Sequence, residues 1–140
     1  YITDFPTDRI LHMENAIALP HLGASTIESE ENCAQMATRQ VKEFLETGNI
    51  KNSVNFPNAI LPFNGKRRVT VIHRNVPNML GQISAIISKR DLNIAAMINK
   101  SRGDFAYTII DIDEKVNGDV LPGIEKEINA IPDVIRIRII

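Results

Sequence analysis

The sequence of 140 residues is poor in cysteine and in net charge, and it contains no long apolar run. The single cysteine, Cys33, excludes an internal disulfide and any metal site built from several thiolates. A formal net charge of -1 gives no general field that would attract nucleic acid or an anionic membrane. No apolar run approaches the roughly 18 residues that a membrane span needs. We therefore expect no nucleic-acid partner, no membrane and, from the lone thiol, a cytoplasmic location.

What the sequence does contain is the composition of a folded domain. Hydrophobic residues make up 44% and charged residues 24%, a balance unlike that of a disordered chain. The first residues include neither an initiator methionine nor a signal region with a basic start and an apolar centre. We expect the chain to be a piece of a longer protein, so that its own activity differs from that of the whole gene product.

Residues 1–25 contain short apolar runs that are stopped by prolines, Pro6 and Pro20. Such runs are typical of short strands at the edge of a sheet, because proline cannot donate a hydrogen bond to a neighbouring strand. Two short strands cannot enclose a core. We therefore expect the other strands of that sheet to lie upstream of this sequence.

Residues 26–48 have the apolar spacing of one long helix. Ser25 or Thr26 can cap its amino end, and Glu28 stands at the capping-box distance from Ser25. Gly48 is a natural carboxyl-terminal cap, because glycine readily adopts the left-handed conformation that ends many helices.

Residues 49–67 are rich in asparagine and proline and are predicted to form a linker. A basic triplet, Lys66, Arg67 and Arg68, follows at its end. Three charges beside the start of a domain are usually solvated. We expect the triplet to lie in water and not to bind nucleic acid.

Residues 68–140 alternate between strand and helix patterns in the order β-α-β-β-α-β. The predicted strands are 68–74, 92–98, 105–112 and 135–139. Asn78 and Asp119 are the predicted caps of the two helices. This order is the ferredoxin-like arrangement of the α+β class, an antiparallel sheet with both helices on one face. Phe105 and Tyr107 are too few stacking aromatics for an RNA-recognition domain. Residues 68–140 contain no cysteine, which excludes a metal chaperone, so no metal site is predicted.

Two stretches resemble one protein family. Residues 19–29 read LPHLGASTIES and are similar to the catalytic-histidine signature of the D-isomer-specific 2-hydroxyacid dehydrogenases. Residues 73–77 read HRNVP and precede a predicted helix and the segment LNIAA at 92–96. This pattern is similar to the amino-acid-binding ACT domain at the end of the D-3-phosphoglycerate dehydrogenases of that family. The segment VNFP at residues 54–57 resembles the linker of the same enzymes.

The resemblance implies a division of the chain into four parts. Residues 1–25 would be the tail of a Rossmann-type α/β domain with the catalytic-histidine loop, and 26–48 a long return helix. Residues 49–67 would be the linker, and 68–140 the ACT regulatory domain. The full-length chain would oxidise 3-phosphoglycerate in serine biosynthesis. An alternative is the dimerisation or amino-acid-sensing module of another 2-hydroxyacid dehydrogenase.

His21 is the candidate catalytic residue. It stands at the end of an apolar run just before a capped helix, where sites form in open α/β folds, and imidazole exchanges protons near neutral pH. By resemblance, His21 is the general acid/base, and Asp8 is the carboxylate that holds its tautomer. The family usually has glutamate at the position of Asp8, and Asp4 and Glu14 are the competing carboxylates.

The cofactor implied by the resemblance is NAD. His21, Leu22, Gly23 and Ala24 would lie against its nicotinamide end, because glycine and a small neighbour allow the backbone to come close. The sequence contains no G-x-G-x-x-G and no P-loop, so the loop for the cofactor phosphates would lie upstream. We expect no dehydrogenase activity from this chain alone.

The resemblance also implies an effector site in the ACT segment. His73, Asn75 and Asn93 would bind L-serine across an interface in a homodimer or homotetramer, and serine would inhibit by feedback. The family usually has glycine where this chain has Asn78. Two readings of Asn78 stay open, since it can cap the helix or obstruct the pocket.

The sulfur-containing side chains recur near predicted apolar faces. Cys33, Met36, Met79 and Met97 are therefore predicted to be packed in the interior, as such soft side chains commonly are.

Overall fold

The computed structural model describes residues 1–65, 67–113 and 120–140. The chain divides into two compact units, Tyr1–Arg39 and Gln40–Ile140. In chain order the elements are β1 (Ile2–Thr3), α1 (Asp8–Leu11), β2 (Ile17–Ala18), α2 (Ile27–Thr47), β3 (Arg68–Arg74), α3 (Met79–Ser88), β4 (Ile94–Arg102), β5 (Phe105–Ile112), α4 (Leu121–Asn129) and β6 (Val134–Ile139). None of the helices in the described ranges is long and apolar enough to cross a membrane.

The first unit holds two short strands and the amino-terminal part of α2. β1 and β2 pair in parallel over two residues each. No residue of this unit is buried, and most of its large apolar side chains are exposed, among them Tyr1, Phe5, Leu22 and Ile27. This is the expected state of two edge strands, because such short strands offer no face on which a core could form.

Helix α2 begins and ends at residues of the predicted types, and the structure decides between Ser25 and Thr26 as its amino-terminal cap. Thr26 is the amino-terminal cap, since its Oγ1 accepts a hydrogen bond from the backbone N–H of Ser29 at 3.2 Å. A capping box between Ser25 and Glu28 does not fit a helix that starts one residue later. Gly48 follows the helix with φ +72°, as the carboxyl-terminal cap was predicted to do.

The second unit is built on a four-stranded sheet in the order β4-β5-β3-β6, with all neighbouring strands antiparallel. α3 and α4 pack on one face, where the core residues include Val69, Val71, Ile83, Ile110 and Ile124. The predicted ferredoxin-like order and α+β class are confirmed. β4 and β6 are the two edge strands.

The other face of the sheet is covered by the segment that was predicted to be a linker. Ile50 and Ala59 exchange two backbone hydrogen bonds of 2.9 Å and are buried against Tyr107 and Ile109. Residues 49–65 are therefore not a linker exposed to solvent. The apolar residues among the asparagines and prolines pack on the sheet because the sheet presents a second apolar face.

Arg68 corrects the expectation that the basic triplet is solvated. Its side chain is fully buried and pairs with Asp111, with Nε 2.6 Å from Oδ1 and Nη2 2.8 Å from Oδ2. Its Nη1 also donates to the carbonyl of Thr47 at 2.8 Å. A paired guanidinium with several acceptors can be buried where an unpaired one cannot. Lys66 lies outside the described residues.

The carboxyl end of α2 is bonded to three strands of the sheet. Arg138 donates to the carbonyls of Phe44 and Leu45, and the hydroxyl of Tyr107 donates to the carbonyl of Gly48 at 2.7 Å. Burial raises the pKa of Tyr107, so this hydroxyl stays protonated and keeps its donor. Helix carbonyls that would otherwise need water are thereby satisfied by the sheet.

Two predicted helix caps have different outcomes. Asn78 occupies the amino-terminal cap position of α3 as predicted, and its carbonyl accepts from the N–H of Gln82 at 3.0 Å, but with φ +65° its side chain makes no capping hydrogen bond. Its Oδ1 instead lies 2.3 Å from where a Cβ on Gly81 would be, over the first turn of α3. Asp119 lies outside the described residues, and α4 begins at Leu121.

Of the four sulfur-containing side chains that were predicted to lie in the interior, one is packed there. Met79 is buried in the core under the helices. Cys33 and Met36 are exposed on α2, and Met97 is exposed on the edge strand β4. Apolar spacing alone could not reveal that these positions face outward in this chain.

Candidate functional site

The first candidate site surrounds His21, in the turn between β2 and α2. Its Nδ1 lies 3.1 Å from Oδ2 of Asp4, and its ring meets the ring of Phe5 edge-on at a centroid distance of 5.4 Å. Asp4 and Phe5 directly follow β1, so the parallel pairing of β1 with β2 brings them to the histidine. The side chains of His21 and Asp4 are 66% and 52% exposed.

The structure gives the carboxylate contact to Asp4 and not to Asp8, the residue predicted for it. Asp8 is the first residue of α1, and its backbone carbonyl lies 2.8 Å from Nδ1 of His12. Among the described residues, neither Asp8 nor Glu14 forms an ion pair with His21. The predicted role of Asp8 therefore remains a prediction, and Asp4 is the competitor that the geometry favours.

The arrangement around His21 suits proton exchange with a bound molecule. A carboxylate at Nδ1 keeps a proton on that nitrogen, which leaves Nε2 as the acceptor. Leu22 is exposed, and a Cβ placed on Gly23 would meet no atom within 4 Å. Both observations leave room for a flat ring beside His21 and Ala24. The described residues contain no group of three or more side chains that could hold a metal ion.

The second candidate site lies at the end of β3. His73 is buried, with Nδ1 2.7 Å from the carbonyl oxygen of Arg74 and Nε2 2.8 Å from Oγ1 of Thr108. Asn75 is exposed in the following turn, and its amide donates to the carbonyl of Gly103 at 3.2 Å. His73 thus offers no free ring nitrogen in this chain, whereas Asn75 is accessible.

Asn93 lies at the opposite end of the same sheet. Its amide donates to Oδ2 of Asp113 at 2.8 Å, just before β4 begins. The strand register puts His73 level with Ser101 on β4, eight residues from Asn93. At 3.3 Å per residue this is a separation of about 26 Å. The three predicted effector residues do not converge within one copy of the chain.

Sequence reasoning missed the groups that join α2 and residues 49–65 to the sheet. Arg68, Tyr107 and Arg138 provide most of these bonds. The alternation of arginine with isoleucine in β6 marked Arg138 only as a residue on the polar face of a strand. No local signal paired Arg68 with Asp111, which is 43 positions away.

Comparisons with known proteins identify the relatives of this chain. It is 31% identical over 134 residues to the D-3-phosphoglycerate dehydrogenase of Escherichia coli K12, covering 96% of this chain and 32% of that protein. It is 32% identical over 127 residues to the enzyme of Dictyostelium discoideum, covering 90% and 30%. The chain therefore spans about a third of the length of the curated relatives it matches. No family model matches it.

Two ACT domains are among the solved structures that align with part of this chain. The ACT domain of GTP pyrophosphokinase from Chlorobium tepidum aligns with a TM-score of 0.47 and 20% identity, covering 53% of this chain and 95% of that one. An ACT domain protein from Streptococcus pneumoniae aligns with a TM-score of 0.45 and 18% identity, covering 53% and 85%. The resemblance found in the sequence is confirmed by the dehydrogenase relatives, which match the chain over nearly its whole length.

Proposed function

We propose that this chain, a relative of the D-3-phosphoglycerate dehydrogenases, is the carboxyl-terminal part of an NAD-dependent enzyme of serine biosynthesis. That enzyme would oxidise 3-phosphoglycerate to 3-phosphohydroxypyruvate. The observation that carries the proposal is the exposed His21 with a carboxylate at Nδ1, inside a segment that resembles the catalytic-histidine signature of that family. The alignment with these dehydrogenases, which covers 96% of the chain at 31% identity, supports the proposal.

In this proposal His21 is the general acid/base. Nε2 of His21 takes the proton of the substrate hydroxyl, while Asp4 at Nδ1 holds the tautomer that leaves Nε2 free to accept. NAD, when bound, supplies the hydride acceptor. Leu22, Gly23 and Ala24 would line its nicotinamide end, and the open space at Gly23 fits such a close approach. To test the proposal, the full-length protein is assayed for NAD reduction that depends on added 3-phosphoglycerate.

We further propose that the β-α-β-β-α-β unit is an ACT regulatory domain that pairs through its β4 edge. Among the described strands, β4 is bonded to β5 alone, so its outer edge offers backbone groups to a further strand. Antiparallel pairing of two β4 strands about Met97 would place Asn93 of a second copy opposite Ser101. That position is level with His73, beside Asn75. One site would then combine Asn75 of one copy with Asn93 of the other.

The pairing predicts a specific cross-link. In a Cys33→Ser background, Met97→Cys is expected to give a disulfide-linked dimer on mild oxidation, because like residues face each other at the centre of an antiparallel two-fold pair. Removing Cys33 leaves the introduced thiol as the sole cysteine. The measurement is the fraction of dimer on non-reducing gel electrophoresis.

The matched control is Ile135→Cys in the same background. Ile135 is 51% exposed on the other edge strand, β6, and Met97 is 43% exposed on β4. The β6 variant is expected to give no disulfide-linked dimer under the same oxidation, because it pairs through β4 and the two introduced thiols then lie far apart. Equal cross-linking at both edges, or none at Met97, would contradict pairing through β4.

L-serine is the proposed effector. At a hundred times its Kd it is expected to stabilise the chain by about 2.7 kcal/mol, seen as a rise of several degrees in Tm. D-serine, with its ammonium group misplaced, is expected to raise Tm less. Each amino acid is titrated while unfolding is followed by scanning calorimetry.

Asn78→Gly separates the two readings of that residue. Its φ of +65° suits glycine without strain, so the variant is expected to fold normally. If the amide over Gly81 obstructs the site, the variant binds L-serine more tightly than the unchanged chain. Absence of a shift in both proteins would remove serine as effector and favour the alternative, a dimerisation module of a related dehydrogenase.

A further inference from the structure

The edge strand β6 has a backbone that is open on one side. Among the described strands it is bonded to β3 alone. Arg68 and Ile140 exchange two backbone hydrogen bonds of 3.1 and 2.9 Å. Because hydrogen-bonded and non-hydrogen-bonded pairs alternate along an antiparallel ladder, the pairs that contain Ile137 and Ile139 are of the second kind. The backbone N–H and C=O groups of these two residues therefore point away from β3, toward the open edge.

A groove of about 390 Å³ runs beside this edge, between β6 and α4. One stripe of α4 lines it, because the helix residues involved stand at positions i, i+3, i+4 and i+7. They are Pro122, Glu125, Lys126 and Asn129. Ile135 of β6 also lines the groove, and it is 51% exposed and has no partner on β3, since the register shifts there. An open strand edge with a pocket for alternate side chains is the arrangement that binds extended peptides by strand addition.

The charges along β6 disfavour pairing with the same edge of a second copy. In an antiparallel two-fold pair centred on Ile137, Arg136 of one copy would lie opposite Arg138 of the other, and like charges directly opposite destabilise a ladder. Arg138 already donates to two carbonyls of α2. Arg136 is exposed and has no ionic or hydrogen-bonding partner among the residues described. A strand that fits this edge would therefore carry an acidic residue opposite Arg136.

An added strand would alternate its side chains between the two faces as β6 does. Arg136 and Arg138 line a pocket on one face of the sheet, and Ile137 is buried on the other face, in the core beneath α3 and α4. The residue opposite Ile137 would therefore enter the groove, and its neighbours would lie on the face of the arginines. Of the described residues that line the groove, Glu125 is the only acidic one, against the basic Lys126 and Arg136. A segment in which acidic and apolar residues alternate is complementary to this surface.

We propose that the β6 edge and the groove beside α4 bind an extended segment of another protein, in which acidic residues alternate with apolar ones. The segment pairs with β6 as an antiparallel strand, through the outward backbone groups of Ile137 and Ile139. One apolar side chain enters the groove against Pro122 and Ile135, and an acidic side chain lies opposite Arg136. Because β4 and β6 are opposite edges of the sheet, the segment and a second copy can be bound at the same time.

The direct test uses two fluorescein-labelled octapeptides with the whole 140-residue chain. In one peptide aspartate alternates with valine, and in the other lysine replaces aspartate. Fluorescence anisotropy is expected to rise to saturation with the aspartate peptide and to stay flat with the lysine peptide. In the nitrogen-15 NMR spectrum, the aspartate peptide is expected to shift the backbone amide resonances of Ile137 and Ile139 and to leave that of Met97 unchanged.

Two charge reversals make the test specific. Arg136→Glu is expected to weaken binding of the aspartate peptide by at least 2- to 5-fold, about the contribution of one cross-strand ion pair, and to allow the lysine peptide to bind. The matched control is Lys100→Glu, which makes the same charge change at an exposed position on β4 and is expected to leave both peptides unaffected. Both substitutions are on the surface, so circular dichroism is expected to show an unchanged fold.

Three results would overturn the proposal. The first is equal binding, or no binding, of the two peptides by the unchanged chain. The second is an equal loss of binding in Arg136→Glu and Lys100→Glu, since that would indicate attraction by the overall charge alone. The third is a shift of the Ile137 and Ile139 resonances with protein concentration and without peptide, since this edge would then be occupied by a second copy.

Discussion

In the full-length protein, His21→Ala is expected to lower turnover of 3-phosphoglycerate by roughly 10²- to 10⁴-fold, the usual contribution of a general acid/base. The side chain is exposed and packs only edge-on against Phe5, so its loss leaves the fold intact. NAD affinity is expected to be nearly unchanged, because the role proposed for His21 is proton transfer and not the binding of the cofactor phosphates. The measurement is the initial rate of NAD reduction, with cofactor binding followed by fluorescence.

The control for this substitution is His12→Gln. His12 is exposed and bonds to a backbone carbonyl in α1, away from the Asp4 contact, so the variant is expected to turn over normally. Unchanged turnover in His21→Ala would remove His21 from the mechanism. The carboxylates are compared in the same assay, since loss of activity in Asp4→Asn but not in Asp8→Asn would assign the partner of His21 to Asp4.

Breaking the buried ion pair is expected to have the largest effect on stability. Asp111→Ala leaves the guanidinium of Arg68, which has no exposed surface, without its carboxylate. Removing one partner of such a pair typically costs about 3–5 kcal/mol of the free energy of unfolding, because the remaining charge stays buried. Urea denaturation of the 140-residue chain, followed by circular dichroism, measures the change.

Two comparisons make that result specific. Glu46→Gln breaks the exposed pair with Lys42 on α2, which is screened by water, and is expected to leave the denaturation midpoint unchanged. The double variant Arg68→Met with Asp111→Leu is expected to recover much of the lost stability, because it removes both charges from the interior. A single Asp111→Ala variant as stable as the unchanged chain would show that this pair does not hold the fold.

The order of elements could be predicted because each leaves a local pattern. Apolar residues repeat with helical spacing in α2 and α3 and alternate along β6, and Gly48 marks the end of α2. The burial of Arg68 left no such mark, since a basic triplet looks the same whether solvated or paired. Its partner comes from a strand that joins only when the sheet forms.

The candidate sites show the same difference. Residues within a local sequence motif could be predicted, whereas contacts with residues from other strands could not. His21 was found from the residues beside it in sequence. Its carboxylate was not, because Asp4 and Asp8 both lie near enough along the chain and the length of the turn after β1 decides between them. His73 was placed correctly at the end of a strand, but its burial depends on Thr108, which β5 contributes.

Residues 40–65 cover the second face of the sheet. The smallest fragment of this protein that could be transferred to another protein must therefore include them. A fusion made from residues 68–140 would leave Tyr107 and Ile109 exposed and the guanidinium of Arg68 without the carbonyl of Thr47. A fusion that begins at Gln40 would include the residues that cover this face of the sheet. A recombination that moves this module alone would cut inside α2, between Arg39 and Gln40, so the helix contains the boundary of the movable unit.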